Sequence, residues 1–457
     1  MLSQLLTCSS ITAAALTFSV SMTAFAQSST PAGPAAGAQP SPVTPAKYVP
    51  GAPTLLAAPG VVVDLVNNVT YTQYTGCGTG PILNPVAYAL NMAGPGDVVG
   101  VTGDHPILFF QANPSSCNQN AVGWGGGVVH DVDIVGLDST AGINGVFFQG
   151  DTSQANGGGI DRVTFQGLRL HNEGGSRSPV QSVGSKRNGL LRIYDCSIDA
   201  DDPTAWAGKG MKFGMRLYLT SLDARDNIYP VGAQEHNIYI DSPGWNGAYD
   251  PSFIAVNNRT FAPTGRTGIQ VVNRMFPAEL DICNPGPNPV IGSPGLGTIL
   301  IRNNRLFADA SAGGGSTVTI AGHHGDVWIE DNTLGALGGA GGSVDTGGIV
   351  IWQPCNTWTN EPGFATNSVH IHDNLIIGTG SRASVGIAST GLASVGLNTF
   401  KTAGEAVRFN QVGETPNGIE LLPASTMAGW QQGGPKAFDT LSGVYTSLTD
   451  TQIDTLY

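Results

Sequence analysis

Charged side chains are scarce in this chain, at 12% of 457 residues, and aromatic side chains are scarcer still, at 7%. Long amphipathic helices show a 3.6-residue apolar period, and no long pattern of that kind occurs. The 20 basic residues are outnumbered by 33 acidic ones, which gives a net charge of −13. The sequence therefore disfavours a mainly helical fold, and the lack of a strongly basic domain disfavours nucleic acid as a partner.

Glycine, in contrast, is abundant at 64 residues. A chain with many glycines, little charge and short apolar stretches is typical of short strands joined by tight turns. We therefore predict an all-β protein.

The first 26 residues contain no charged side chain and include an apolar run, Ile11–Val20, that is followed by Ala24–Ala26. This small-x-small ending is typical of a signal-peptidase site, although no Lys or Arg precedes the run. We predict a signal peptide over 1–26 and a secreted or periplasmic protein. No later run reaches the roughly 18 apolar residues of a membrane span, so we predict no membrane insertion.

Proline, alanine, serine and glycine dominate residues 28 to 59. Such a composition offers too little apolar area to offset the entropy of ordering, so 27–60 is predicted to be a linker. We expect one domain over 61–411 and a C-terminal tail or cap over 412–457.

A template recurs along that domain: alternating apolar residues, then a turn that ends in a small or amide residue. Eight segments fit it: Val132–Leu137, Val163–Leu168, Leu191–Cys196, Leu222–Asn227, Phe253–Asn258, Leu300–Asn304, Val327–Asn332 and Val369–Asn374. Their last residues are mostly 28 to 31 positions apart. A fixed period with strand alternation predicts a solenoid in which each coil packs only against its neighbours.

Asparagine ends most of these templates. Stacked amides can pass side-chain hydrogen bonds from one coil to the next and satisfy a buried turn. The residues of this predicted asparagine ladder are Asn227, Asn258, Asn304, Asn332 and Asn374.

With this ladder, and with Gly94–Gly100 as a first coil, the chain resembles the pectin lyase-like superfamily over roughly residues 90 to 411. The resemblance implies a single right-handed parallel β-helix. It leaves the activity open, because the superfamily includes lyases, hydrolases, epimerases, adhesins and phage depolymerases.

Another apolar stretch lies between successive templates and is predicted to be the first strand of each coil. The stretches are Gly145–Gly150, Pro179–Gly184, Met211–Tyr218, His236–Ser242, Thr267–Arg274, Thr317–Gly322, Gly347–Gln353, Ser384–Ser389 and Ala406–Asn410. Strand alternation predicts that Met211, Phe213, Met215 and Leu217 face inward. We predict that polar residues of three adjacent coils face outward on one wall: Lys212, Arg216, His236, Tyr239, Asp241, Gln270 and Arg274.

Charge supports a site in this part of the chain. Between Arg162 and Arg225 there are ten basic and six acidic residues, a local charge of +4. A localised positive field can attract an anionic polymer to an acidic protein. The predicted partner is an anionic polysaccharide or oligosaccharide, bound by a monomer.

Cleavage of a polyuronate by β-elimination needs a cation to neutralise the carboxylate and a base to remove the C5 proton. Lys212 and Arg216 are the predicted catalytic cations, and His236 and Tyr239 are candidates for base and acid. Glu235 would orient His236 or bind a metal.

Substrate contacts are predicted for Asp241, Gln270, Arg274, His323, His324 and Trp352. The acidic loop of Asp199, Asp201 and Asp202 is a candidate Ca²⁺ site and otherwise fits ordinary turn chemistry.

Three alternatives to a lyase stay open. A glycoside hydrolase would use paired carboxylates, Asp241 with Glu235 or Asp223. A C5-epimerase shares the first step of the lyase, and a non-catalytic adhesin would only bind glycan. The residues do not determine which polysaccharide is bound, the endo or exo mode, or the role of the tail.

Five cysteines follow the predicted signal peptide. Cys196 occupies a template position and is predicted to be a buried free thiol. Export permits disulfides, and the predicted pairs are Cys77 with Cys117 and Cys283 with Cys355.

Overall fold

The computed structural model divides the chain into Met1–Thr54 and Leu55–Tyr457. It describes, all within the second unit, residues 62–67, 69–71, 84–111, 121–124, 128–149, 159–172, 178–182, 188–200, 213–230, 233, 235–241, 252–261, 264–265, 267–272, 297–309, 316–321, 324–337, 348–352, 366–377, 385–387, 390–396, 398–401, 407–409 and 419–421. The predicted signal peptide and linker lie outside these residues.

The described part of the chain consists of strands, numbered in chain order, in three groups, with one short helix. Sheet I contains β5 (Leu108–Gln111), β6 (Ala121–Val122), β9 (Val146–Gln149), β12 (Val180–Ser182), β17 (His236–Asp241), β20 (Thr267–Val272), β23 (Val318–Ala321), β26 (Ile349–Trp352), β29 (Val385–Ile387) and β32 (Val407–Phe409). Sheet II contains β1 (Val62–Asp64), β2 (Val69–Tyr71), β3 (Val98–Val101), β7 (Val129–Gly136), β10 (Ile160–Gln166), β13 (Asn188–Tyr194), β18 (Ser252–Val256), β21 (Thr298–Arg302), β24 (Asp326–Glu330), β27 (Thr366–His372), β30 (Thr390–Gly396) and β33 (Ile419–Leu421). Sheet III contains β4 (Asp104–His105), β8 (Gly142–Asn144), β11 (Arg169–His171), β14 (Ser197–Asp199), β16 (Ile228–Tyr229), β19 (Arg259–Thr260), β22 (Arg305–Asp309), β25 (Thr333–Leu337), β28 (Leu375–Ile377) and β31 (Thr399–Lys401). The long strand β15 (Met215–Arg225) pairs first within sheet I and then within sheet II, and so joins the two.

From β8 onward the chain visits the sheets in rounds, one strand in each, and each strand pairs in parallel with its counterpart in the next round. The arrangement is therefore all-β, with long parallel sheets that are compatible with a β-helix. Eight of the nine predicted first-strand stretches contain a strand of sheet I, and the ninth, Met211–Tyr218, overlaps the part of β15 that pairs within sheet I. One template was misaligned: Ile299, not Leu300, pairs with Phe253 and Val327.

Alternation along the strands produces continuous inward columns. In sheet II one column joins eight fully buried residues in register: Ile134, Phe165, Ile193, Ala224, Ala255, Ile301, Ile329 and Ile371. Apolar side chains stacked in this way leave little surface for water, so burial against the adjacent rounds stabilises each round.

Asparagine side chains form a second buried column after sheet II. Asn227 Nδ2 donates to Asn258 Oδ1 at 2.9 Å, and the same bond joins Asn258 to Asn304, Asn304 to Asn332, and Asn332 to Asn374. The row extends one residue beyond the sequence-based set, to Asn398. Each amide also donates to a main-chain carbonyl of the preceding round, such as Ala255 O for Asn304.

Cys196 begins this row. Its main-chain N–H donates to Asn227 Oδ1 at 3.0 Å, and its Sγ lies 3.6 Å from Phe165 O, where the later asparagines place an amide. The thiol is free, as predicted, and burial raises its pKa to about 12.

The residue before each row member from Cys196 to Asn374 adopts a left-handed backbone. Six such residues have φ between 50° and 58°: Asp195, Asp226, Asn257, Asn303, Asp331 and Asp373. Asp and Asn tolerate this conformation better than other residues with a Cβ, which explains why they fill the position.

The N-terminal end of the stack is built differently, since β1 runs antiparallel to both β2 and β3. Helix α1 (Pro85–Met92) packs beside these strands, with Asn84 Oδ1 accepting a hydrogen bond from Ala87 N and Pro85 in the first turn. The described residues include no helix with the length and apolarity of a bilayer span. At the other end, β33 pairs with β30 beyond the predicted domain boundary at 411.

Candidate functional site

An outward row on sheet I carries the best-placed of the predicted site residues. Gln181 pairs with Arg216, Arg216 with Tyr239, Tyr239 with Gln270, and Gln270 with Thr319. Arg216 is exposed, and Tyr239 and Gln270 are half-buried. Successive strands lie about 4.8 Å apart. A cation, a phenol and an amide are thus aligned on one wall.

Phe213 lies at the centre of this group. Its ring centroid is 5.2 Å from the Arg216 guanidinium carbon, 5.5 Å from the Tyr239 ring and 5.3 Å from the His236 ring. Phe213 is only 6% exposed, so its predicted burial is confirmed. It precedes the first residue of β15, and its ring packs against the side chains of the wall and covers His236.

Phe213 is held by hydrogen bonds that the sequence did not reveal. Its N–H donates to Ser178 Oγ at 3.1 Å, and Ser178 N–H donates to Gln181 Oε1 at 3.1 Å. Gln181 is itself in the outward row, so the row and the Phe213 ring are connected.

Glu235 and His236 lie on the site but not at its surface. The His236 ring stacks on Tyr239 with centroids 5.6 Å apart, and its Nε2 lies 3.7 Å from Glu235 Oε2. His236 is only 2% exposed and Glu235 only 5% exposed. The expectation that His236 faces solvent is wrong, because it is buried, and Glu235, which was expected to orient His236 or bind a metal, lies beside it in a buried imidazole and carboxylate pair next to Tyr239.

Other predicted contacts divide into two sets. His324 is fully buried, with Nε2 3.0 Å from Ala321 O, so it does not reach a substrate surface. Asp241 and Trp352 end strands of sheet I, and the directions of their side chains lie outside the described structure. Lys212, Arg274 and His323 also lie outside the described residues, as do the predicted disulfide cysteines Cys77, Cys117, Cys283 and Cys355.

The proposed calcium loop is only partly described. The Asp199 carboxylate pairs with Arg169 Nη2 at 3.0 Å, and Asp201 and Asp202 lie outside the described residues. Within the described ranges no three His, Cys, Asp or Glu side chains converge on a common metal position. The one described carboxylate is thus engaged by a cation, which does not fit a metal ligand.

The basic residues between 162 and 225 that the structure describes do not gather on one face. Arg162 pairs with Asp131 and Asp161, and Arg225 pairs with Asp223, all on sheet II. Asp223 also accepts a hydrogen bond from Tyr194 Oη at 2.8 Å. Asp223 therefore lies on sheet II and Asp241 on sheet I, which argues against the two as the paired carboxylates of a hydrolase.

Comparison with family models, curated proteins and solved structures gives no match for this chain.

Proposed function

We propose that the stacked parallel sheets form a right-handed parallel β-helix with an asparagine ladder, of the pectin lyase-like type. The repeated order of sheets I, II and III and the unbroken amide row support this proposal. Parallel strand crossovers are overwhelmingly right-handed. In this proposal the chain is exported through a signal peptide over 1–26 and works as a monomer.

We further propose that the protein is a polysaccharide lyase acting on a uronic-acid-containing polymer. The observation that carries the proposal is the pairing of Arg216 with Tyr239 on adjacent strands, with both side chains on the outward wall. A guanidinium binds a carboxylate through paired, charge-assisted hydrogen bonds, and a neighbouring phenol can transfer a proton.

The reaction follows from these two groups. The Arg216 guanidinium neutralises the uronate carboxylate and so stabilises the charge that develops when the C5–H bond breaks. Tyr239 lies one strand away and is the accessible proton-transfer group, because His236 is buried. The Tyr239 phenolate removes the C5 proton, the C4–O bond breaks as a C4=C5 double bond forms, and the resulting Tyr239 phenol protonates the leaving oxygen.

His236 and Glu235 act behind this pair as positioning groups. The imidazole stacks on the Tyr239 ring, and the Glu235 carboxylate lies close enough to fix the imidazole. We derive no step through calcium, because Asp199 pairs with Arg169.

The test is ultraviolet absorbance of the unsaturated uronide during incubation with pectate, alginate and glycosaminoglycans. Arg216→Ala and Tyr239→Phe should each lower the rate at least about a hundredfold, the typical contribution of such groups. Arg192→Ala is the matched control, since Arg192 is an outward arginine on sheet II.

Other products would replace the lyase assignment. New reducing ends without absorbance would indicate a hydrolase, and changed sugar stereochemistry without cleavage would indicate an epimerase. Binding without any reaction would indicate an adhesin.

A further inference from the structure

The neighbours of Arg216 along the outward row are uncharged. Gln181 lies one strand before it, and Tyr239, Gln270 and Thr319 follow on successive strands. Val350 continues the row after Thr319, and the register then runs through Gly386 to Arg408, six strands from Arg216. Among the described side chains from Gln181 to Val350, Arg216 is therefore the single cation.

We infer that the preferred substrate is a heteropolymer in which each uronic acid has uncharged sugars as immediate neighbours, and not a homopolymer of uronic acid. This inference rests on the proposed function and names its substrate class. Strands repeat about every 4.8 Å, which is close to the length of one sugar residue, so a chain lying along the row would place about one sugar on each strand.

The two positions beside Arg216 suit neutral sugars. The Gln181 and Tyr239 side chains are hydrogen-bonding groups without charge, and both are half-buried. A second carboxylate at either position would lose part of its hydration without gaining a cation, which is unfavourable.

The surroundings of Tyr239 also disfavour a second negative charge. Glu235 is buried beside His236, whose ring stacks on Tyr239. Like charges repel more strongly where burial lowers the dielectric constant. On the other flank, Phe147 pairs with Gln181, is buried, and stacks on Phe109 with centroids 5.2 Å apart, so the next position in the row is apolar and supplies no cation.

The experiment compares kcat/KM for two classes of polymer with the full chain. Polygalacturonate and alginate carry a carboxylate on every sugar, whereas hyaluronan and unsulfated chondroitin alternate uronic acid with an uncharged N-acetylhexosamine. We expect an alternating polymer to be cleaved at least about tenfold more efficiently, which corresponds to one unpaired polar group.

A charge introduced next to Arg216 tests the cause. Gln181→Arg should raise the ratio of homopolymer to alternating-polymer kcat/KM about tenfold, by supplying a second carboxylate partner. Gln181→Met is the matched control, because it also removes the hydrogen bond to Ser178 but adds no charge.

The outcomes separate the two proposals. Equal or better cleavage of a homopolymer by the unmodified protein would overturn the inference and leave the lyase assignment standing. The same conclusion would follow if Gln181→Arg and Gln181→Met had the same ratio of homopolymer to alternating-polymer kcat/KM. No unsaturated product from any polymer would overturn the lyase assignment and the inference with it.

Discussion

Asn304→Leu tests whether the buried amide row stabilises the fold. Asn304 is 1% exposed, and its Oδ1 accepts hydrogen bonds from Asn258 N and Asn258 Nδ2, each at 2.9 Å. Its Nδ2 donates to Ala255 O at 2.7 Å and to Asn332 Oδ1 at 3.0 Å. Leucine is similar in size and makes none of these bonds.

The substitution leaves two donors of Asn258 and the carbonyl of Ala255 without their partner in a buried site. Each unsatisfied buried group costs about 1–3 kcal/mol, so we expect a loss of about 3–5 kcal/mol after partial relaxation. Urea unfolding followed by circular dichroism measures the loss as a lower midpoint.

Asn303→Asp is the control at the adjacent position. Asn303 is exposed, makes a 3.3 Å bond to Asn257, and has a φ of 51° that aspartate also tolerates. We expect it to cost less than about 1 kcal/mol. A loss below about 1 kcal/mol for Asn304→Leu would refute the argument that the row holds the rounds together.

Three further predictions concern stability. Cys196→Asn should raise or preserve the urea midpoint, because an amide there can donate to Phe165 O and extend the row; a midpoint below that of Cys196→Ala would contradict this. Burial, and then the charges of Asp373 and Glu330, raises the pKa of Asp331, so the folded state loses stability as pH rises through that raised value. Asp331→Asn should therefore raise the melting temperature at pH 7. The gain in the free energy of unfolding should be less than about 1 kcal/mol at this exposed position, and it should vanish near pH 3. Hydrogen bonds from Arg162 lower the pKa of Asp131 to about 2, so stability is lost as pH falls from about 4 towards 2. Arg162→Met should flatten that part of the melting curve against pH, and an unchanged slope would count against the ion pair.

The repeat could be predicted because burial acts on every round in the same way. All five asparagines selected from the sequence lie in the observed row, since a polar residue recurring in a buried turn needs a partner in the next round. Leu300 was misassigned because Ile299, Leu300 and Ile301 are all apolar, so alternation does not show which of them faces inward, and the pairing of Ile299 fixes that register.

The site was harder to predict, because strand alternation indicates which side chains point outward but not whether neighbouring side chains bury them. His236 and Glu235 are covered although they lie beside Tyr239, and Phe213, itself buried, forms part of that cover through its contact with the His236 ring. Helix α1 was also missed, although Asn84 before Pro85 is a recognisable start signal in a chain without long helical patterns.

The antiparallel pairing of β1 along β3 has a consequence for association between molecules. Strand β3 is the first parallel strand of sheet II, and β1 pairs with its outer hydrogen-bonding edge. Strand β2, only three residues long, pairs with the other edge of β1. An unprotected edge of this kind would recruit a strand from a second copy and begin fibre growth. Removing residues 62–71 would uncover that edge, and a shortened chain of this type should polymerise where the intact chain stays dispersed.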